Sequence, residues 1–345
     1  MKVLSLFNGM SCGMMALNEL GIEPEVYYSS EIDKYANKLS QFLYPGIIQL
    51  GDINNWKEWD IDLGNIDLIL AGFPCQSWSM AGHSKGLDDV RGQLALTLVD
   101  VWKATAKENP NVKFLFENVK MKKEHLETVN GIFGVEPICI NSALVSAQNR
   151  VRYYWTNLAV SQPEDLEIKL SSIIEHKDEH KYISDKALAG HLSRIEKHRK
   201  KGNGFGARIM DETSTKTPTI TARYYKDGAE CLIGGRVVGR RLNEQGARED
   251  YNKSISIKQI FEPRKDCKTN CITTVSKDSC VYNKDKQKVR MLTPREAARL
   301  QTIPEDIIDK IMTSGVSNTQ IYKMCGNGWT VKVIEHLLQN LAKIH

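Results

Sequence analysis

Short apolar runs alternate with helical patterns through the first half of the chain. Val3–Phe7, Glu25–Ser30, Ile66–Leu70 and Val112–Phe116 are runs of the length and composition of buried strands. Between them lie segments with apolar residues at helical spacing: Met14–Leu20, Lys34–Phe42 and Gly92 to about Lys107. Pro137–Ser142 and Arg152–Asn157 supply two more strands. This alternation predicts an α/β fold, a doubly wound parallel sheet with ligands at the carboxyl ends of its strands.

The rhythm fails near residue 160. A helical patch, Asp185–Lys201, is followed by glycine- and threonine-rich pieces, among them Lys216–Thr221 and Asn270–Thr274. Helical periodicity returns at Leu292–Gln301, where Thr293 can cap, Pro294 takes the first helical position and Glu296 lies three residues on. An amphipathic helix over Trp329–Ile344 is expected to pack back on the first domain. The expected division is 1–159, an inserted 160–289, and a return segment 290–345.

Composition narrows the class without deciding it. With 345 residues, 41% hydrophobic and 26% charged, the chain has the balance of an ordinary globular protein. Its apolar runs fall short of the ~20 residues that span a bilayer, and Met1–Phe7 reads as a strand and not a secretory leader. Eight scattered cysteines suit a reducing cytoplasm, and Cys267, Cys271 and Cys280 lack metal-ligand spacing, so no metal is expected. Charge is uneven: residues 161–290 hold 27 Lys and Arg against 19 Asp and Glu. A basic segment in a mildly acidic body points to a polyanion-binding face.

The candidate chemistry sits at strand ends. Ala71-Gly72-Phe73-Pro74-Cys75-Gln76-Ser77 follows the Ile66–Leu70 strand and turns sharply at Pro74, which sets the Cys75 thiol at the mouth of a loop. Asn8–Gly13 is a small-residue turn ahead of a helix; Glu31 closes the second strand and Asp52 the third. A glycine turn with carboxylates at successive strand ends suits a nucleoside ligand, the first to the ribose hydroxyls and the second to an adenine amino group. Glu117 ends the strand expected beside the one that leads to Cys75; a thiol beside such a carboxyl can attack an electron-poor heterocycle. Arg150 and Arg152, two apart, share one face of an extended segment.

Taken in order, these motifs resemble the DNA (cytosine-5) methyltransferases. The likeness is carried by Phe7-Asn8-Gly9-x-Ser11-x-Gly13, by Gly72-Phe73-Pro74-Cys75-Gln76 with Ser79 and Arg91-Gly92, and by Glu117-Asn118-Val119. Gln148-x-Arg150-x-Arg152, Arg295-Glu296-x-x-Arg299-Leu300-Gln301 and Gly326-Asn327-Gly328 complete it. It covers about 1–158 and 290–345; Ser142–Leu158 is also similar to the animal de novo members. Asn8, Met10, Ile32 and Gly328-Trp329 depart from the family pattern.

The resemblance implies a Rossmann-like S-adenosylmethionine-dependent fold with an irregular target-recognition domain in the middle. It implies Cys75, Glu117 and Arg152 as catalytic groups, with Asn118 and Arg150 more as positioning residues. For S-adenosyl-L-methionine and its product S-adenosyl-L-homocysteine it implies Phe7, Asn8, Gly9, Ser11, Gly13, Glu31, Ile32, Asp52, Ile53, Pro74, Leu94, Asn327 and Gly328. Gln76, Ser79, Arg223, Arg240, Arg241, Thr273 and Thr274 are the candidates for DNA contact. The partner expected is double-stranded DNA, with the chain itself acting as a monomer; whether a cognate restriction endonuclease accompanies it is left open by the sequence. An RNA cytosine-5 methyltransferase and a catalytically silent DNA-binding relative remain open alternatives here.

Overall fold

The structure, a computed structural model, describes residues 1–74, 90–175, 183–200, 209–210, 215–220, 222, 224, 232–233, 236–240, 258–262 and 290–341. Its centre is a seven-stranded sheet. The strands are β1 (Lys2–Leu6), β2 (Val26–Ser30), β3 (Ile48–Gln49), β4 (Leu68–Gly72), β5 (Lys113–Val119), β6 (Ile138–Asn141) and β7 (Val151–Thr156), in the order β3-β2-β1-β4-β5-β7-β6. The pairings β3–β2–β1–β4–β5 are parallel. Strand order reverses between β1 and β4, which opens a crevice at their carboxyl ends.

Successive residues of these strands feed opposite faces of the sheet. Leu68, Leu70 and Leu115 join one core cluster, while Ile69, Ala71, Phe114 and Phe116 join the other. That is why the strands read as continuous apolar runs: both faces are covered. The first face takes α1 (Cys12–Glu19) and the return segment; on the second lie α3 (Val90–Glu108) and α4 (Lys123–Phe133), with α2 (Lys34–Leu43) between β2 and β3. An aromatic cluster of Phe73, Trp102, Phe114, Phe116, Phe133 and Trp155 fills that second face. Each such pair adds ~0.5–1.5 kcal/mol beyond its buried area, and together they anchor the strand that ends at Glu117.

Two expectations change. The sheet is not wholly parallel, because β7 runs antiparallel between β5 and β6. The connection over 142–150 is too short for a crossover, which needs about a dozen residues, so the chain doubles back. β1 also stops at Leu6, one residue early: Phe7 turns to φ +55° and Ser11 to φ +68°, and α1 begins at Cys12.

In the middle, α5 (Asp185–Lys200) precedes two small sheets. β8 (Ile209–Met210), β9 (Leu232–Ile233) and β12 (Arg290–Met291) form one; β10 (Arg236–Arg240) and β11 (Lys258–Glu262) the other. The threonine-rich stretch Lys216–Thr221 is tied to the residues before β7 over 215–220. Thr217 exchanges backbone hydrogen bonds with Ala147 and Asn149, Thr219 donates to the Asn149 carbonyl, and Lys216 Nζ donates to the carbonyls of Ala143, Ser146 and Ile168. Unpaired backbone beside β7 is costly to bury, and this stretch supplies its partners.

The return segment holds α6 (Pro294–Leu300), α7 (Glu305–Thr313), α8 (Asn318–Asn327) and α9 (Val331–Leu338). Thr293 and Glu296 form the capping box, and Glu296, fully buried, also pairs with Arg290 at 2.7 Å. α9 packs on α1 and carries the chain end back to the first domain.

Candidate active site

A cavity of about 330 Å³ opens at the carboxyl ends of β1, β2, β4 and β5. Its first wall is the turn after β1. Phe7 and Ser11, both in the left-handed region, are strained for residues with side chains. What holds them is Asn8, whose Oδ1 accepts from Ser5 and Tyr27 and whose Nδ2 donates to Ser11 Oγ. Asn8 lines the cavity with its side chain committed to this network. Ser11 does not reach the cavity: it is fully buried, its hydroxyl engaged by Asn8 and Ser40. Its hydroxyl braces the turn.

Glu31, at the end of β2, is fixed by three backbone N–H groups: Gly9 donates to Oε2, Ile32 and Asp33 to Oε1. Asp52 follows β3 and caps a short turn through Asn54 N–H. Both carboxylates face the cavity, with Phe7, Ile32, Ile53 and Leu94 supplying apolar surface. Ile32 is 74% exposed at the rim. Two fixed acceptors beside apolar walls fit a nucleoside, with hydroxyl and amino donors and a flat ring. Gly13, Pro74, Asn327 and Gly328 also line this space.

The far wall carries the reactive groups. Gly72 pairs with Glu117 across β4 and β5. Arg152 Nε lies 2.9 Å from Glu117 Oε1, both side chains nearly buried. That N–H is not aimed at the oxygen and finds no aligned acceptor, so the pair is a charge contact; Arg152 Nη1 donates to the Val151 carbonyl. Trp329 donates its indole N–H to Glu117 Oε2 at 3.1 Å. Asn118, buried and off the cavity, donates to the Phe73 carbonyl and accepts from Val119 N–H, which holds the chain where it turns towards Pro74.

Arg150 closes the floor. It is 2% exposed and donates to the carbonyls of Gly326 (3.2 Å) and Gly328 (2.8 Å). Gly328 must be glycine here, since a Cβ would come within 2.8 Å of the Met324 carbonyl and 3.3 Å of Cys12 Sγ. Cys12 lines the cavity too, but burial pushes its thiol up to about 11, against the opposing Trp329 backbone and Arg150. A neutral thiol is a poor nucleophile.

Among the sequence candidates, Cys75, Gln76, Ser79, Arg223, Arg241, Thr273 and Thr274 lie outside the described residues. Arg240 ends β10. Conversely, Lys323, which bridges to Asp33 across the cavity, carried no signal in the sequence. Trp329 showed only as a departure from pattern.

The family model for C-5 cytosine-specific DNA methylase matches residues 1–343. The chain belongs to this family. Among its relatives, a type II methyltransferase, M1.ScrFI, of Lactococcus lactis subsp. cremoris is 31% identical, over 99% of this chain and 78% of its own length. The type II methyltransferase M.DsaV of Dactylococcopsis salina is 30% identical, over 99% and 86%. In fold, the chain is similar to Entamoeba histolytica methyltransferase EhMeth (TM-score 0.66, 15% identity, 99% and 98% covered). It is likewise similar to S. pombe Dnmt2 (TM-score 0.61, 16% identity, 99% and 98%). The protein is a DNA cytosine-5 methyltransferase. Among the described residues no helix is long and apolar enough to cross a membrane.

Proposed function

We propose that this enzyme methylates C5 of a cytosine extruded from a specific duplex DNA sequence, through a covalent bond between Cys75 and C6. One observation supports it most: Glu117, paired with Gly72 at the end of β4 and contacted by Arg152, lines the same cavity as Pro74, two residues after Gly72, and Cys75 is the next residue in the chain.

Glu31, Asp52 and the apolar walls would hold S-adenosyl-L-methionine, which when bound would supply an electrophilic methyl group for C5, its sulfur keeping the bonding pair as S-adenosyl-L-homocysteine leaves. A base inside the stack is out of reach, and extruding it costs a few kcal/mol. The Cys75 thiolate forms the C6–S bond, and the electron pair of the C5–C6 double bond moves onto the ring. Glu117 in its acid form donates its proton to N3, where that charge develops, and accepts from the N4 amino group, while Arg152 turns its unaimed N–H to O2. Once C5 is substituted, its proton leaves to a base and the C6–S bond breaks, returning the thiolate. Asn118 and Arg150 position; they do not react. Segment 160–289, with its excess of positive charge, holds phosphates and reads bases, while 1–159 and 290–345 form the catalytic unit.

The test is Cys75→Ser with a labelled-methyl filter assay and a duplex-binding assay run together. Methyl transfer should vanish while duplex binding persists; full activity in the variant refutes the assignment. Transfer to tRNA in preference to duplex DNA would favour an RNA substrate.

A further inference from the structure

Trp329 is clamped on both sides. Arg150 holds the carbonyls of Gly326 and Gly328 before it, and after it the Thr330 hydroxyl is buried against Ser142 and Gln301. The indole lies over the end of β4: a Cβ on Gly72 would come within 2.7 Å of its Nε1 and 3.2 Å of Cε2. Gly72 is thus the residue that lets the ring approach Glu117. Trp329 Nε1 then donates to Glu117 Oε2, which is the aligned side-chain hydrogen bond on that carboxylate among the described residues, because the Arg152 Nε–H points elsewhere.

We propose that Trp329 is a positioning residue that fixes the Glu117 carboxylate for the incoming pyrimidine, an inference resting on the function proposed above. The backbone clamps pre-set the indole, the indole pins Oε2, and Oε1 is left to turn towards the ring with Arg152. A carboxyl group already held in its productive rotamer gives its proton to the ring nitrogen without reorganising. The arrangement also links the return segment to catalysis, since the donor sits on the loop between α8 and α9 and the acceptor on β5.

The experiment is Trp329→Phe, which keeps an aromatic wall and removes the donor. Single-turnover methyl transfer from S-adenosyl-L-methionine to a long unmethylated genomic duplex, carrying all short recognition sequences, should slow about tenfold, equivalent to ~1.4 kcal/mol. Affinity for S-adenosyl-L-homocysteine, by calorimetry, should stay within twofold. A crystal structure of the variant should show Glu117 spread over more than one rotamer. An unchanged rate, or a loss abolished by saturating cofactor, overturns the proposal, since Trp329 would then be cofactor wall alone. Gly72→Ala, which displaces the indole, provides a second route if Trp329→Phe does not fold: the same loss is expected, and an unchanged rate overturns it. If the unaltered enzyme transfers no methyl to duplex DNA, the proposed function fails by itself, and the Glu117 rotamer in Trp329→Phe still decides this inference.

Discussion

Replacing Arg150 with Ala removes the guanidinium that joins the residue before β7 to the last turn of α8 and the loop after it. Two hydrogen bonds from a charged donor, at 3.2 and 2.8 Å, are lost, and the carbonyls of Gly326 and Gly328 lose that partner. Hydrogen bonds to charged groups are worth ~1.5–3 kcal/mol each. The adjoining cavity lets water reach one side, so the smaller end applies, ~3 kcal/mol in all. At ~2.1 cal/mol/K of unfolding entropy per residue, the 345-residue chain gives a fall in Tm of about 4 °C. The effect on the cavity should exceed the effect on the fold. Gly326, Asn327, Gly328 and Trp329 form one wall, and a wall that must be ordered by the ligand binds it more weakly. Calorimetric titration with S-adenosyl-L-homocysteine should show at least a tenfold loss, alongside a melting curve by circular dichroism. Arg150→Lys keeps a charge but cannot span two carbonyls as a planar fork does, so it should fall between the two. If Arg150→Ala melts within 1 °C of the native chain and binds the product unchanged, Arg150 does not hold this wall.

Lys216→Met leaves three carbonyls on 143, 146 and 168 without their donor. Limited proteolysis should cut the middle segment faster while the sheet survives, and an unchanged digestion pattern would refute the role. At the surface, hydrogen bonding by Arg299 holds the Glu305 carboxyl below its usual value, with burial opposing and Arg295 assisting. A carboxyl depressed in the folded state stabilises fully above its unfolded pKa and loses that contribution as pH falls through the folded one. The Tm difference between native chain and Glu305→Gln should therefore be complete at pH 6–7 and shrink below about pH 4. It will be small, ~0.5 kcal/mol, because Glu305 is half exposed; a difference that grows on acidification would contradict the sign.

Much of the fold was legible because it is local. Apolar runs marked the strands, and the Thr293-Pro294-x-Glu296 pattern marked a helix start that the structure realises as a capping box. Glu31, Asp52 and Glu117 stood out as carboxylates at strand ends, and all three face one cavity. Other placements depend on partners remote in the chain. Ser11 looked like a ligand contact and turned inward because Ser40 is there to meet it. The 215–220 stretch looked irregular, yet Thr217 pairs with Ala147 and Asn149.

Sequence alone determined the element order, the crevice at the strand ends and the family, since these follow from periodicity and from motifs contiguous in the chain. Only the tertiary structure decided that β7 runs backwards, that Arg150 grips a loop some 176 residues away, and that the indole of Trp329 reaches Glu117. The physical reason is one of range. Backbone preference and side-chain alternation act between neighbours, whereas a buried donor takes whichever acceptor the packing of distant segments brings within 3 Å.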